Sequence, residues 1–304
     1  PRFWPLPCYN RREMPLSRNF LSWLLLAALL TACAPRSSQA AAAAQTLQNK
    51  GSDTMVNLAL AWAEGYSVQH PDVRISVTGG GSGTGLAALI NGTVDLANAS
   101  RAIKKEEIEK ARANGVEPVE FVVARDAIAV IVHPDNPVNA LTLEQISALY
   151  RGEITNWQQV GGENRPIVLL SRETNSGTHV FFLETVVRLG KKENSGYFFS
   201  TGTLLLPSSE GIISEVQQNP NAIGYDGLGY VTPQVKVLGV ARAPGEPFVL
   251  PSAATVGRGE YPIARDLYMY TAGPPVGATR AYLDWILAPE AQQIVTDLGF
   301  VPAK

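Results

Sequence analysis

Apolar positions along the chain follow two periods. Met55, Leu58, Ala59, Trp62 and Tyr66 recur on one helical face, with Ser52 or Asp53 placed to cap it. Val73-Arg74-Ile75-Ser76-Val77-Thr78 alternates as a strand does. Leu86, Leu89 and Ile90 predict a short helix closed by Asn91-Gly92. Residues 94–101 read as a short strand ending in a polar turn, and residues 104–113 as a charged, solvated helix. Residues 127–132 are continuously apolar, which predicts a strand buried on both faces, as in a parallel sheet. Helices are expected over 141–150, from near Ser176 (Val180, Phe181, Leu183, Val187), over 208–218, 282–287 and 291–298. Strands are expected over 166–170, 222–225, 235–238 and 267–270, with Tyr225-Asp226-Gly227 read as a turn. Strands alternating with helices predict an α/β protein with largely parallel sheets.

The N-terminal pattern differs. Residues 20–32 form an apolar run behind Arg11, Arg12 and Arg18. It is too short to span a bilayer comfortably and fits a secretory signal. It ends in Leu30-Thr31-Ala32-Cys33, which resembles a bacterial lipobox and predicts lipidation at Cys33 and a membrane anchor. The alternative is a conventional signal peptide cut a few residues later. Met14 would start a signal of normal length. Residues 1–33 are therefore expected to be a signal, and the small, polar residues 34–47 a flexible tether. Either cleavage places the mature protein outside the cytoplasm.

Composition narrows the function. The 304 residues are 45% hydrophobic and 17% charged, which is ordinary for a globular chain. A net charge of −2 supplies no basic field for nucleic acid. Cys8 and Cys33 both precede the predicted fold, so its body has no disulfide or thiolate metal site. His70, His133 and His179 show no metal-ligand spacing, and no Ser-His-Asp order with a convincing elbow points to an enzyme. No cofactor is called for, and a monomer is expected. Trp62, Trp157 and Trp285 are expected in the core.

The chemistry lies in three polar turns, each at a predicted helix start. They are Gly51-Ser52-Asp53-Thr54, then Gly79-Gly80-Gly81-Ser82-Gly83-Thr84-Gly85, then Arg172-Glu173-Thr174-Asn175-Ser176-Gly177-Thr178. Helix starts offer unpaired N–H groups and positive potential, and an Arg adds charge. The second turn is not a P-loop, because Leu86 and Ala87 stand where Lys and Ser/Thr are required. Together the turns suggest donors converging on one oxyanion.

These three turns, with Asn91-Gly92-Thr93-Val94-Asp95 and Tyr150-Arg151-Gly152-Glu153-Ile154-Thr155-Asn156-Trp157, resemble the phosphate-binding proteins of Pst-type ABC importers over residues 48–304. The resemblance implies a type II periplasmic-binding fold. One lobe would be residues 48–126 with 265–304, the other residues 127–264. Strands near 127–132 and 266–270 would join them. It implies inorganic phosphate, as hydrogen phosphate, as ligand and the importer's permease subunits as partner. Carried over residue by residue, the phosphate site is Asp53, Thr54, Ser82 and Gly83, the turn Ser100-Arg101, and Arg172, Ser176, Gly177 and Thr178. Many relatives hold an Asp where Arg101 stands. That Asp accepts the proton of hydrogen phosphate and helps reject sulfate. Here Asp53 is the alternative acceptor. Arg101 either contacts the anion or pairs with Asp95 or Glu106. Receptors for sulfate, molybdate or tungstate remain open, as does a secreted phosphatase.

Overall fold

The computed structural model describes residues 45–303. Its strands are β1 (Gln45–Gly51), β2 (Val73–Thr78), β3 (Leu96–Ala99), β4 (Val119–Val132), β5 (Ala140–Thr142), β6 (Val168–Arg172), β7 (Leu204–Leu206), β8 (Ala222–Gly227), β9 (Lys236–Val237), β10 (Gly239–Ala241), β11 (Ala264–Thr271) and β12 (Val301–Pro302). Its α-helices are α1 (Val56–Gln69), α2 (Ser82–Ile90), α3 (Lys105–Ala113), α4 (Leu143–Tyr150), α5 (Gly177–Phe182), α6 (Ser209–Gln218), α7 (Ala253–Gly257), α8 (Gly277–Ile286) and α9 (Pro289–Asp297).

The main sheet runs β2-β1-β3-β11-β4-β8-β6-β7. Its two ends are parallel. β1 lies between β2 and β3, and β6 between β7 and β8. Parallel neighbours need crossovers, which α1, α2 and α6 supply between successive strands. The centre is antiparallel, since β11 runs against β3 and β4, and β4 against β8.

β4 explains how one sheet carries two cores. Its 14 residues span roughly 45 Å. Val123 and Ala124 pack in a core with Leu47, Trp62, Tyr66, Met269 and Tyr282. Ala127, Ile128, Val130 and Val132 pack in another with Tyr150, Trp157, Phe182 and Tyr225. Ala129 and Ile131 face a third cluster with Leu170, Ile212 and Val216 on the opposite side. Burial on both faces is therefore present, but through antiparallel neighbours, so the expected parallel pairing is corrected. Burial alone does not encode strand direction.

Three further expectations change. The tether predicted to reach residue 47 gives way to strand at Gln45, because residues 45–50 pair with β2 and Leu47 is buried in the core. The strands expected to join the lobes pair at Ala264↔Ala127 through Thr271↔Val119, so residues 128–132 lie beside β8 instead. Tyr225-Asp226-Gly227 is the end of β8, fully buried, and not a turn. The signal, the lipobox, Cys33 and Met14 lie outside the described residues. Among the described residues no helix is long and apolar enough to cross a membrane.

Candidate functional site

Each polar turn follows a strand and is held by backbone geometry. β1 ends at Gly51, whose φ is 147° and whose added Cβ would stand 2.1 Å from Asn98 O. Only glycine lets the chain pass there. The following turn of 3-10 helix, Asp53–Met55, carries the buried Thr54, whose hydroxyl lies 2.9 Å from that of Thr178. β2 leads through Gly79-Gly80-Gly81 into α2, where the Ser82 Oγ accepts from Ser100 N at 3.0 Å and lies 3.3 Å from Ser100 Oγ. β6 leads into α5, and the Ser176 hydroxyl accepts from the N–H groups of Thr178 and His179.

The turns meet across a seam between the two core regions. A Cβ added to Gly177 would stand 2.2 Å from Ser82 Oγ and 2.6 Å from Ser100 Oγ. Gly83 N donates to Asn175 O at 3.0 Å, and Asn175 Nδ2 donates to Gly80 O at 3.0 Å. Tyr230 Oη donates to Asp53 O at 2.7 Å. Thr54, Ser82, Gly83, Ser100, Ser176, Gly177 and Thr178 are therefore gathered in one place.

The charged residues stand behind these hydroxyls. Arg172 donates from Nη2 to Asp53 Oδ2 (2.8 Å) and Pro207 O (2.9 Å), from Nη1 to Ser209 Oγ (2.8 Å), and from Nε to Leu206 O (3.4 Å). Asp226 Oδ2 lies 3.5 Å from Nη1. Every nitrogen of Arg172 thus has a protein partner, and Asp53, paired with its Nη2, links it to the seam. Asp53 also accepts from Gly80 N at 2.9 Å. Arg101 is drawn elsewhere. Its Nη1 and Nη2 donate to the Glu107 carboxylate at 2.8 and 2.7 Å. The partner is therefore Glu107, neither Asp95 nor Glu106. Asp95 instead accepts from Gln48 N.

Sequence reasoning missed Asp126, Asp226 and Arg265. Asp126 and Arg265 are direct cross-strand partners on β4 and β11. Arg265 donates to Asp126 Oδ2 from Nη2 (2.9 Å) and Nε (3.3 Å), to Ser100 O from Nη1 (3.0 Å) and to Thr54 Oγ1 from Nη2 (3.2 Å). The signal that was available is a charged residue inside each buried strand. Loss of water pushes the Asp126 and Asp226 carboxyls up, against the pull of Arg265 and Arg172 respectively. The same burial pushes Arg265 down, against Asp126.

The cations also set hydroxyl polarity. A guanidinium has no acceptor, so Thr54 Oγ1 accepts from Arg265 and keeps its own hydrogen for Thr178 or a ligand. Ser82 likewise accepts from a backbone N–H and keeps its hydrogen for Ser100 Oγ or a ligand. The seam is biased towards donors, as an oxyanion requires. Arg265 also lines a cavity of about 400 Å³ with Arg101, Lys104, Phe181 and Tyr268. His179 sits behind the seam, its Nδ1 3.1 Å from Ser171 Oγ and its ring against Phe199. Among the described residues no group of His, Cys, Asp and Glu could hold a metal ion.

Known proteins share this architecture. The model of a PBP superfamily domain matches residues 36–290. The phosphate-binding protein PstS of Pseudomonas aeruginosa is 32% identical over 285 residues, covering 88% of this chain and 86% of that one. PstS of Bacillus subtilis is 32% identical over 262 residues, covering 86% and 81%. A candidate phosphate ABC transporter substrate-binding protein from Clostridium perfringens, solved with bound phosphate, superposes with a TM-score of 0.75 at 32% identity. It covers 86% of this chain and 100% of that one. The fold is that of type II periplasmic-binding proteins. Within that class, the chain belongs to the family of PstS-like phosphate-binding proteins.

Proposed function

We propose that this protein is an extracytoplasmic, lipid-anchored receptor that captures inorganic phosphate between two lobes and delivers it to an ABC importer's permease. The observation that carries the reading is the seam itself. Thr54, Ser82, Ser100, Gly177 and Thr178 converge from turns far apart in sequence, backed by Arg172 and Arg265. The relatives' phosphate binding supports the choice of anion. The proposed contacts are Thr54, Ser82, Gly83, Ser100, Ser176, Gly177 and Thr178, with the ion pair of Asp53 and Arg172 behind them. The proposed lobes are residues 48–126 with 265–304, and residues 127–264. The division of the cores on either side of Asp126 supports them. A binding protein, not a phosphatase, suits a seam in which each carboxylate is engaged by an arginine or backbone donor.

An open cleft would meet the anion with one lobe, and closure would complete the donor shell. Charge-assisted bonds contribute about 1.5–3 kcal/mol each net. A micromolar site needs roughly 8 kcal/mol. A handful of contacts, less the cost of closing, is therefore enough. Calorimetric titration of phosphate-stripped protein tests the reading, with sulfate and molybdate as competitors. Phosphate should bind and sulfate should compete weakly. A preference for molybdate or sulfate would assign another anion to the same fold. Turnover of a chromogenic phosphate ester would instead assign an enzyme.

A further inference from the structure

The cavity walled by Arg265 holds about 400 Å³, enough for a small organic group. Arg265, Arg101 and Tyr268 wall it from one proposed lobe, and Phe181 and Thr185 from the other. Three links join it to the seam. Arg265 donates to Thr54 Oγ1 at 3.2 Å and to Ser100 O at 3.0 Å. Arg101 follows Ser100 directly in the chain. Phe181 comes three residues after Thr178 on α5, so the two are neighbours on one helix face. An oxyanion seated at Thr54, Ser100 and Thr178 would therefore have the cavity beside it, with the Arg265 guanidinium at the boundary.

The chemistry of the wall selects an occupant. Phe181 and Tyr268 supply aromatic rings, and the Arg265 guanidinium lies 5.6 Å from the centre of the Phe181 ring. Lys104 and Thr185 can donate hydrogen bonds, and Glu184 and Asp266 can accept them. Glu184 and Thr185 stand in a turn of π-helix, Leu183–Val187, that continues α5. Such turns are rare and frequent at functional sites. A purely apolar group here would leave these donors and acceptors unserved, and a carboxylate would face Glu184 and Asp266. A polyhydroxylated group suits both, because each hydroxyl donates and accepts, and the C–H face of a sugar ring packs on an aromatic ring. We propose that this protein also takes sugar phosphates, with the phosphoryl group in the seam and the sugar in this cavity. A phosphate monoester keeps three unesterified oxygens for the seam's donors. The inference rests on the phosphate reading above and extends its ligand from the inorganic anion to its sugar esters.

The test is calorimetric titration of phosphate-stripped protein with inorganic phosphate, with glucose 6-phosphate freed of inorganic phosphate, and with glucose. The first two should bind, and glucose alone should not. Ala102→Trp places a bulky ring at an exposed position on the cavity wall, away from the seam's hydroxyls. It should weaken glucose 6-phosphate at least tenfold and leave phosphate within about twofold, because the clash falls on the sugar alone. Wild-type protein that takes phosphate but not glucose 6-phosphate overturns the inference and leaves the phosphate reading intact. A variant that weakens both ligands equally, or neither, overturns the placement of the sugar in this cavity. Wild-type protein that takes neither phosphate nor its ester overturns the phosphate reading, and this inference with it. Should the Trp variant fail to fold, Glu184→Trp, at another exposed position on the same wall, carries the same comparison.

Discussion

Thr54 and Thr178 share a hydrogen bond of 2.9 Å although they lie in turns that pack into different cores. Thr54→Val and Thr178→Val should each weaken phosphate binding, and the double variant should not show the sum. A coupling of about 0.5–3 kcal/mol is expected in a double-mutant cycle of binding. Additive losses would mean the two hydroxyls act independently. Arg172→Ala would strand Asp53 and Asp226 beside an empty space, so denaturant unfolding should report a loss of about 3–5 kcal/mol in stability. A stable variant that merely binds less well would show Arg172 to be a ligand contact more than a structural ion. His179 adds a pH effect. Burial lowers its tendency to protonate, so the folded protein holds it neutral while the unfolded chain takes up a proton below about 6.5. Its stabilising contribution is complete above that pH and lost as pH falls through it. Unfolding at pH 7.5 and 5.5 should show a shallower decline for His179→Gln than for wild type.

Among the elements, the start of α5 tests the proposed closure. Gly177 leaves no room for a side chain beside Ser82 and Ser100, and the three atoms nearest to an added Cβ all belong to those two serines, across the seam. Gly177→Ala should therefore leave the ligand-free melting temperature nearly unchanged and weaken phosphate binding by about 1–3 kcal/mol, the usual cost of overpacking. Wild-type affinity in this variant would mean that the anion is held with the seam more open than in this structure. The elements themselves were largely legible. The helix caps at Ser176 and Ser208 and the alternating β2 follow from local chemistry, and the structure places them within a residue or two of the pattern. β4 was legible only in its apolar second half. Val119-Glu120-Phe121 and Arg125-Asp126 interrupt the apolar run, because that half pairs with β11 and carries the ion pair to Arg265.

For the molecule as a whole, the proposed function predicts that the two halves approach when phosphate binds. Asn175 O and Nδ2 hold the glycine-rich turn across the seam, through Gly83 N and Gly80 O. Small-angle scattering should show a smaller radius of gyration with phosphate than without it. Asn175→Ala should release phosphate faster in stopped-flow measurements, since it removes the side-chain half of that clasp. Phosphate at a hundred times its Kd should raise stability by about 2.7 kcal/mol through mass action.

The alternation of strands and helices, the three polar turns and the family they resemble can all be read along the chain. Each of these rests on residues adjacent in the chain, where periodicity and capping chemistry act over a few positions. The packed fold was needed to reveal that the centre of the sheet is antiparallel, that Arg101 pairs with Glu107, and that Asp126, Asp226 and Arg265 stand behind the candidate site. Those outcomes depend on which strands become neighbours. A lone Asp or Arg within an apolar strand carries no record of the partner, 139 residues away for Asp126 and Arg265, that makes its burial tolerable.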